Sequence, residues 1–150
     1  MLIISDASPI IALYDAGYLE LLRMSFGEII IPEEVFAEVF QRGRQRAKPA
    51  WIKVQALTDP QGLATFSVLR NSLDKGESAA ISLAITCNAC VLIDEELGTA
   101  ECRKRKVACV TTAQIVENLI KDGKIKGKQS RAIVLTLRMH GVYVEDPGAA

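Results

Sequence analysis

The chain has 150 residues, 18 of them basic and 18 acidic, with 49% apolar and 24% charged positions. That is enough for one domain with a substantial core, short of two ordinary domains, and too apolar for a disordered chain. Apolar runs are of strand length, well below the roughly 20 residues of a membrane span, and zero net charge leaves only local patches to steer a charged partner.

No basic region followed by an apolar stretch and a cleavage site opens the chain, so no signal peptide is expected and the cytoplasm is the expected compartment. The elements predicted in chain order begin with a strand at 2–5 and a helix at 9–23, with Ser8 as N-cap and Pro9 at the first helical position. A strand at 28–31 runs into Pro32-Glu33-Glu34, which places proline and acids in the first turn of a helix at 33–42. A basic loop follows, then a strand at 52–56 and helices at 63–72 and 75–87. Beyond these lie a strand at 90–93, a helix at 96–105, a strand at 107–110, helices at 112–122 and 128–139, and a last strand at 142–144. Gly123 and Gly141 stand just past helix ends, and the Pro147-Gly148-Ala149-Ala150 tail is expected to fray.

Strands alternating with helices predict an α/β fold, a mostly parallel sheet covered on both faces. The short strands at 28–31, 90–93 and 107–110 are nearly all apolar, as double coverage requires. Cys87 and Cys90 have CxxC spacing, but no second pair with ligand spacing follows, so the four cysteines read as small, reduced hydrophobes. One histidine, His140, excludes any mechanism needing two.

Asp6 directly follows the first strand and Asp94 follows the strand at 90–93. Right-handed crossovers bring the carboxyl ends of parallel strands to one edge, where α/β sheets put their chemistry. Glu77 stands third in a helix capped by Asp74, which a capping box alone explains. It also heads the stripe leading to Ile81 and Ala84, which would face it into the crevice, and both readings hold at this point. Glu38 lies on the flank of the apolar side formed by Val35, Phe36, Val39 and Phe40, and its spacing alone specifies little. Carboxylates that meet raise one another's pKa unless a cation sits among them. An oxygen-only donor set favours Mg²⁺ or Mn²⁺ over zinc. Three basic clusters stand apart from these acids: Arg42, Arg44, Arg46 and Lys48; residues 103–106; and Lys121, Lys124, Lys126 and Lys128. The first could hold phosphates beside the site.

Four ordered blocks resemble those of the PIN domain, the small metal-dependent ribonuclease fold that includes the VapC toxins. They are Ile4-Ser5-Asp6-Ala7-Ser8-Pro9, then Ile31-Pro32-Glu33-Glu34-Val35 through Glu38-Val39, then Leu73-Asp74-Lys75-Gly76-Glu77-Ser78, and last Leu92-Ile93-Asp94-Glu95. The resemblance implies a three-layer α/β/α sandwich, a single domain over 1–150 with about five parallel strands, and frequent homodimers. It also implies Asp6, Glu38, Glu77 and Asp94 as catalytic metal ligands, with Ser8 as a supporting hydroxyl. The implied reaction is hydrolysis of RNA by metal-activated water, and in toxin members an antitoxin protein covers the site. The third acid here is Glu where the family more often has Asp. The fourth block lacks the usual Thr, which leaves Glu95 as an alternative to Asp94.

Overall fold

The computed structural model describes residues 1–43 and 45–145. Arg44 and the tail expected to fray, from residue 146 onward, lie outside the described residues. Five strands form one all-parallel sheet in the order β3-β2-β1-β4-β5. They are β1 (Ile3–Ser5), β2 (Ile29–Pro32), β3 (Ile52–Gln55), β4 (Cys90–Leu92) and β5 (Cys109–Val110). Between and after them run α1 (Ala7–Ala16), α2 (Glu20–Phe26), α3 (Glu33–Phe36), α4 (Pro60–Leu69), α5 (Lys75–Cys87), α6 (Glu96–Lys104), α7 (Thr112–Lys121) and α8 (Gly127–Met139).

Strand alternation sorts the core onto two faces. Ile3, Cys90 and Leu92 join a cluster with Ile10, Leu13, Leu22, Ile115 and Leu137, under α1, α2, α7 and α8. Ile4, Val91 and Ile93 join another with Leu69, Ile81, Leu83 and Cys102, under α4, α5 and α6. The result is the three-layer arrangement expected. The strand order reverses direction between β1 and β4, and the carboxyl ends at such a point are where open α/β sheets bind ligands. Four unpaired thiols are present, and burial pushes the Cys102 thiol up to about 12, as suits a packing residue.

Several boundaries differ from the sequence expectation, each for a local reason. The helix expected at 9–23 breaks at Gly17, whose left-handed φ of 84° lets its N–H close on the carbonyls of Leu13 and Tyr14. Its N-cap is Asp6 rather than Ser8, and Pro9 sits within the first turn. α4 starts early because Asp59 accepts from the Gly62 N–H at 3.0 Å, with Pro60 at the first position. The helix expected at 33–42 loosens into a π-helical turn over Ala37–Gln41, a distortion enriched at functional sites. The strand expected at 142–144 does not form. Val142 and Val144 are buried in the core with Tyr143 72% exposed, so the alternation is real. The Val142 N–H instead donates to the Leu137 carbonyl, closing the end of α8.

Candidate functional site

The backbone sets the site first. The Asp6 N–H donates to the Leu92 carbonyl at 2.9 Å, so the end of β1 is stitched beside the end of β4. Asp6 is 3% exposed and Glu77 6% exposed. α5 brings its amino end to the same place. There Asp74 Oδ1 accepts from the Glu77 N–H at 2.8 Å, and the Asp74 N–H donates back to Glu77 Oε2 at 3.3 Å. The two readings left open for Glu77 therefore coincide: it caps, and it lines the crevice.

Two glycines make the approach close. A methyl group at Gly76 would stand 3.3 Å from Asp6 Oδ1 and 3.8 Å from Asp74 Oδ1. One at Gly98, in the first turn of α6, would stand 4.0 Å from the Glu77 carboxyl carbon and only 2.3 Å from Ile93 Cδ1. Backbone without side chain thus lets α5 lean on Asp6 and α6 lean on Glu77.

Crowding and burial shift the acids in one direction. Burial pushes the Asp6 carboxyl up to about 8, helped by the negative charges of Asp74, Glu77 and Glu38 and opposed by the Ala7 N–H. Glu77 is raised by burial and by Asp74, with smaller contributions from Glu95 and Glu38. Glu38 is raised by burial and Asp74 and pulled back by the Arg42 guanidinium. Asp74, which the sequence offered only as a cap, therefore acts on every shifted acid of the crevice. The signal was its place in the capping box, but nothing in the sequence says that this box closes against the end of β1.

Asp94 behaves differently. It is exposed, and its carboxylate accepts from the Thr112 N–H at 2.8 Å and from the Thr112 hydroxyl at 2.7 Å. Thr112 is fully buried and opens α7, so Asp94 clamps that helix to the end of β4. Glu95, the N-cap of α6, is exposed and makes no capping bond with its side chain. Ser8 is exposed at the second position of α1.

The basic loop is only partly open to a phosphate. Arg46 makes a bidentate pair with Asp15 at 2.9 and 3.0 Å and also donates to the Val39 carbonyl. Lys48 Nζ donates to the carbonyls of Ile52 at 2.7 Å and Pro49 at 3.2 Å. Arg42 is exposed and close enough to Glu38 to influence it. Arg44 lies outside the described residues.

The donors suit a hard divalent ion: carboxylate oxygens only, held where their charge is unfavourable. Among the described residues, however, no three acids, histidines or cysteines are arranged so that they could hold a metal ion as they stand. Glu38 and Glu95 are both exposed, and their charges reach the buried Glu77.

Comparison with curated proteins gave no match. A family model described as the PIN domain matches residues 2–148. PIN domains are generally nucleases and usually use divalent metals. With that match over nearly the whole length, and the parallel five-stranded sheet beneath the acids, the chain belongs to the PIN-domain family.

Proposed function

We propose that this protein is a divalent-metal-dependent endoribonuclease, with Mg²⁺ or Mn²⁺ as its ion and RNA phosphodiesters as its substrate. The observation that carries the reading is the convergence of acids at one strand end. Asp6 is buried where β1 meets β4, and the amino end of α5 brings Asp74 and Glu77 against it. In that environment burial first and the neighbouring charges second disfavour the charged form. A cation is what that environment lacks.

Asp6 and Glu77 would hold the ion from the buried side, and Glu38 and Glu95 from the open side. When bound, such an ion supplies a water of lowered pKa and balances the charge of the phosphodiester in transit. The chain's own residues prepare the place. The Asp74 N–H donates to Glu77 Oε2 at 3.3 Å, which restricts rotation of that carboxylate at the head of α5. Gly76 and Gly98 leave room for the oxygens to converge. Asp94, through Thr112, keeps α7 against β4 and so fixes the wall from which Glu95 extends. Arg42, exposed beside Glu38, and Lys48, whose ammonium also bonds two carbonyls, are the described cations of the neighbouring loop proposed to meet phosphates. Arg44, proposed with them from the sequence, lies outside the described residues. Ser8 is a candidate hydroxyl at the same strand end. A cytoplasmic, homodimeric toxin whose crevice an antitoxin protein covers is the finer form of this proposal.

Purified protein should cut single-stranded RNA with Mn²⁺ present and lose that activity on Asp6→Asn. Cleavage that survives the substitution would overturn the reading. The clamped state of Asp94 favours a second one, a PIN-like module that binds RNA or a protein without cutting. Calorimetric titration with Mn²⁺ separates them, since only the nuclease needs the acids to take up an ion.

A further inference from the structure

The carboxyl edge of the sheet gathers acids, while the opposite, amino edge gathers cations that the crevice does not use. Met1 and Cys90 line two grooves there, one on each face of the sheet. One, of about 330 Å³, is also walled by Arg105 and Lys106. The other, of about 300 Å³, is also walled by Lys124 and by Asp122, so its charge is mixed. Cations thus bracket the start of β1 and β4 from both sides.

Part of this charge has a structural use. Arg103 and Lys104 occupy the last turn of α6 and offset its negative end. Arg105 Nε lies 3.4 Å from Glu101 Oε2. Lys106 has no such use. It sits past the end of α6 with φ of 58°, its N–H donating to the Arg103 carbonyl at 3.1 Å while the Val107 N–H donates to the Cys102 carbonyl at 2.8 Å. That turn favours glycine, because an L side chain is strained there. Every other residue of positive φ among the described ones is glycine, except Asn88, whose short amide tolerates the conformation. A lysine in this turn weakens the fold relative to glycine, and among the described residues its exposed ammonium has no hydrogen-bond or ion-pair partner.

A polyanion partner accounts for that choice. Arg46 is neutralised by Asp15 and the net charge is zero, so the loop beside the crevice offers fewer free cations than its sequence suggests. A strand longer than the crevice meets further basic surface beyond that loop, and such a surface adds to its attraction. We propose that the amino edge, centred on Lys106 with Arg103 and Lys124, is a second holding surface for the backbone of single-stranded RNA. The inference rests on the ribonuclease reading for its ligand, and it assigns the edge a role in retaining the strand, remote from the cut.

The test is RNA binding by the Asp6→Asn protein without divalent metal, followed by fluorescence anisotropy across a salt series. Lys106→Gly should weaken binding of a long single strand several-fold at low salt while leaving the melting temperature equal or higher. Its log–log salt slope should become shallower by about 0.7, the value for one phosphate contact on a single strand. The triple variant Arg103→Gln, Lys106→Gly, Lys124→Gln should lose roughly three times that slope. An oligonucleotide too short to reach both edges should show a smaller effect. An unchanged slope in the triple variant overturns the proposal and makes an acidic protein the reading for this edge; a parent protein that holds no RNA overturns it as well. If the parent holds RNA here and the wild-type chain cuts none with Mn²⁺, the nuclease reading fails and the holding surface stands.

Discussion

The ends of β1 and β4 lie side by side, each closed by an aspartate, and they treat that aspartate in opposite ways. At the end of β1, Asp6 is buried among other acids, and burial pushes its carboxyl up to about 8. At the end of β4, Asp94 is exposed and accepts one bond on each oxygen, from the Thr112 N–H and hydroxyl. The bonds to Thr112 orient the Asp94 carboxylate and leave each oxygen a lone pair, whereas the Asp6 carboxyl is crowded by other acids and its charged form is disfavoured until a cation joins it. Neighbouring strand ends therefore present one aspartate held unfavourably in a crevice and one that fastens a helix, and variants at each show how the proposed site uses them.

The largest expected effect follows from Asp6. Its folded-state carboxyl is raised above the ordinary value of 3.8, so between that value and about 8 the folded protein holds a proton that the unfolded chain has lost. Stability must fall as pH rises through that window, by about 1.4 kcal/mol for each pH step of one for this group in isolation. Asp6→Asn removes the titrating group. The variant should gain stability over the wild type by a few kcal/mol at the alkaline end of that window. That gain should shrink towards zero in mild acid. Glu77 and Glu38 are raised in the same direction, so they add to the wild-type slope and remain in the variant. Urea unfolding across pH measures the difference. A gap that does not change with pH breaks the comparison, because Asp6 would then titrate as freely as an exposed acid. Mn²⁺ should flatten the wild-type pH dependence more than that of Asp6→Asn.

The next effect tests the other strand end. Asp94→Ala leaves the buried Thr112 N–H and hydroxyl without their acceptor and should cost about 2 kcal/mol of stability, the range for hydrogen bonds to a charged group. Glu95→Gln changes an exposed side chain and should move stability by no more than about 0.5 kcal/mol. For cleavage the order should invert: Glu95→Gln lowers turnover more than Asp94→Asn, which keeps one acceptor for Thr112. Thermal unfolding and turnover of the same variants give both readouts. If Asp94→Asn abolishes cleavage while Glu95→Gln leaves it intact, Asp94 is the ligand and the division between the strand ends fails.

Much of this was legible in the residues. Apolar runs ending in Asp6 and Asp94 marked the central strands, and Asp74 with Glu77 wrote the capping box into the sequence. What resisted reading was whatever depends on distant partners. Val142 and Val144 alternate as a strand would, yet their N–H groups find no sheet edge, and the pattern records only which side chains face the core. Gly17 carried a helix-stop signal that was hidden by apolar periodicity continuing through residues 9–23. The Arg46–Asp15 pair joins residues far apart in sequence and removes a charge from the loop's apparent phosphate-binding set. Asp94 and Thr112 are likewise too far apart for their clamp to be seen. Asp74 enters the crevice because α5 starts against the end of β1, a close approach that the bare backbone of Gly76 eases.

The smallest expected effect probes the seam between the two strand ends. Gly98 packs its bare Cα against Ile93, the fully buried residue before Asp94, and lies beside the Glu77 carboxyl. A methyl group there meets Ile93 Cδ1 at 2.3 Å and Cγ1 at 3.3 Å, so Ile93 must change rotamer or α6 must move outward. Gly98→Ala also gains helix propensity, which offsets part of the overpacking, and a net loss of about 1 kcal/mol is expected. An outward shift of α6 carries Glu95 away from Glu77 while the Asp94–Thr112 clamp, anchored on β4 and α7, stays closed. Mn²⁺ affinity should therefore fall by more than stability does, and Ile93→Val, which clears the colliding methyl, should restore part of it. Equal loss in both measurements would mean that the two strand ends move as one body.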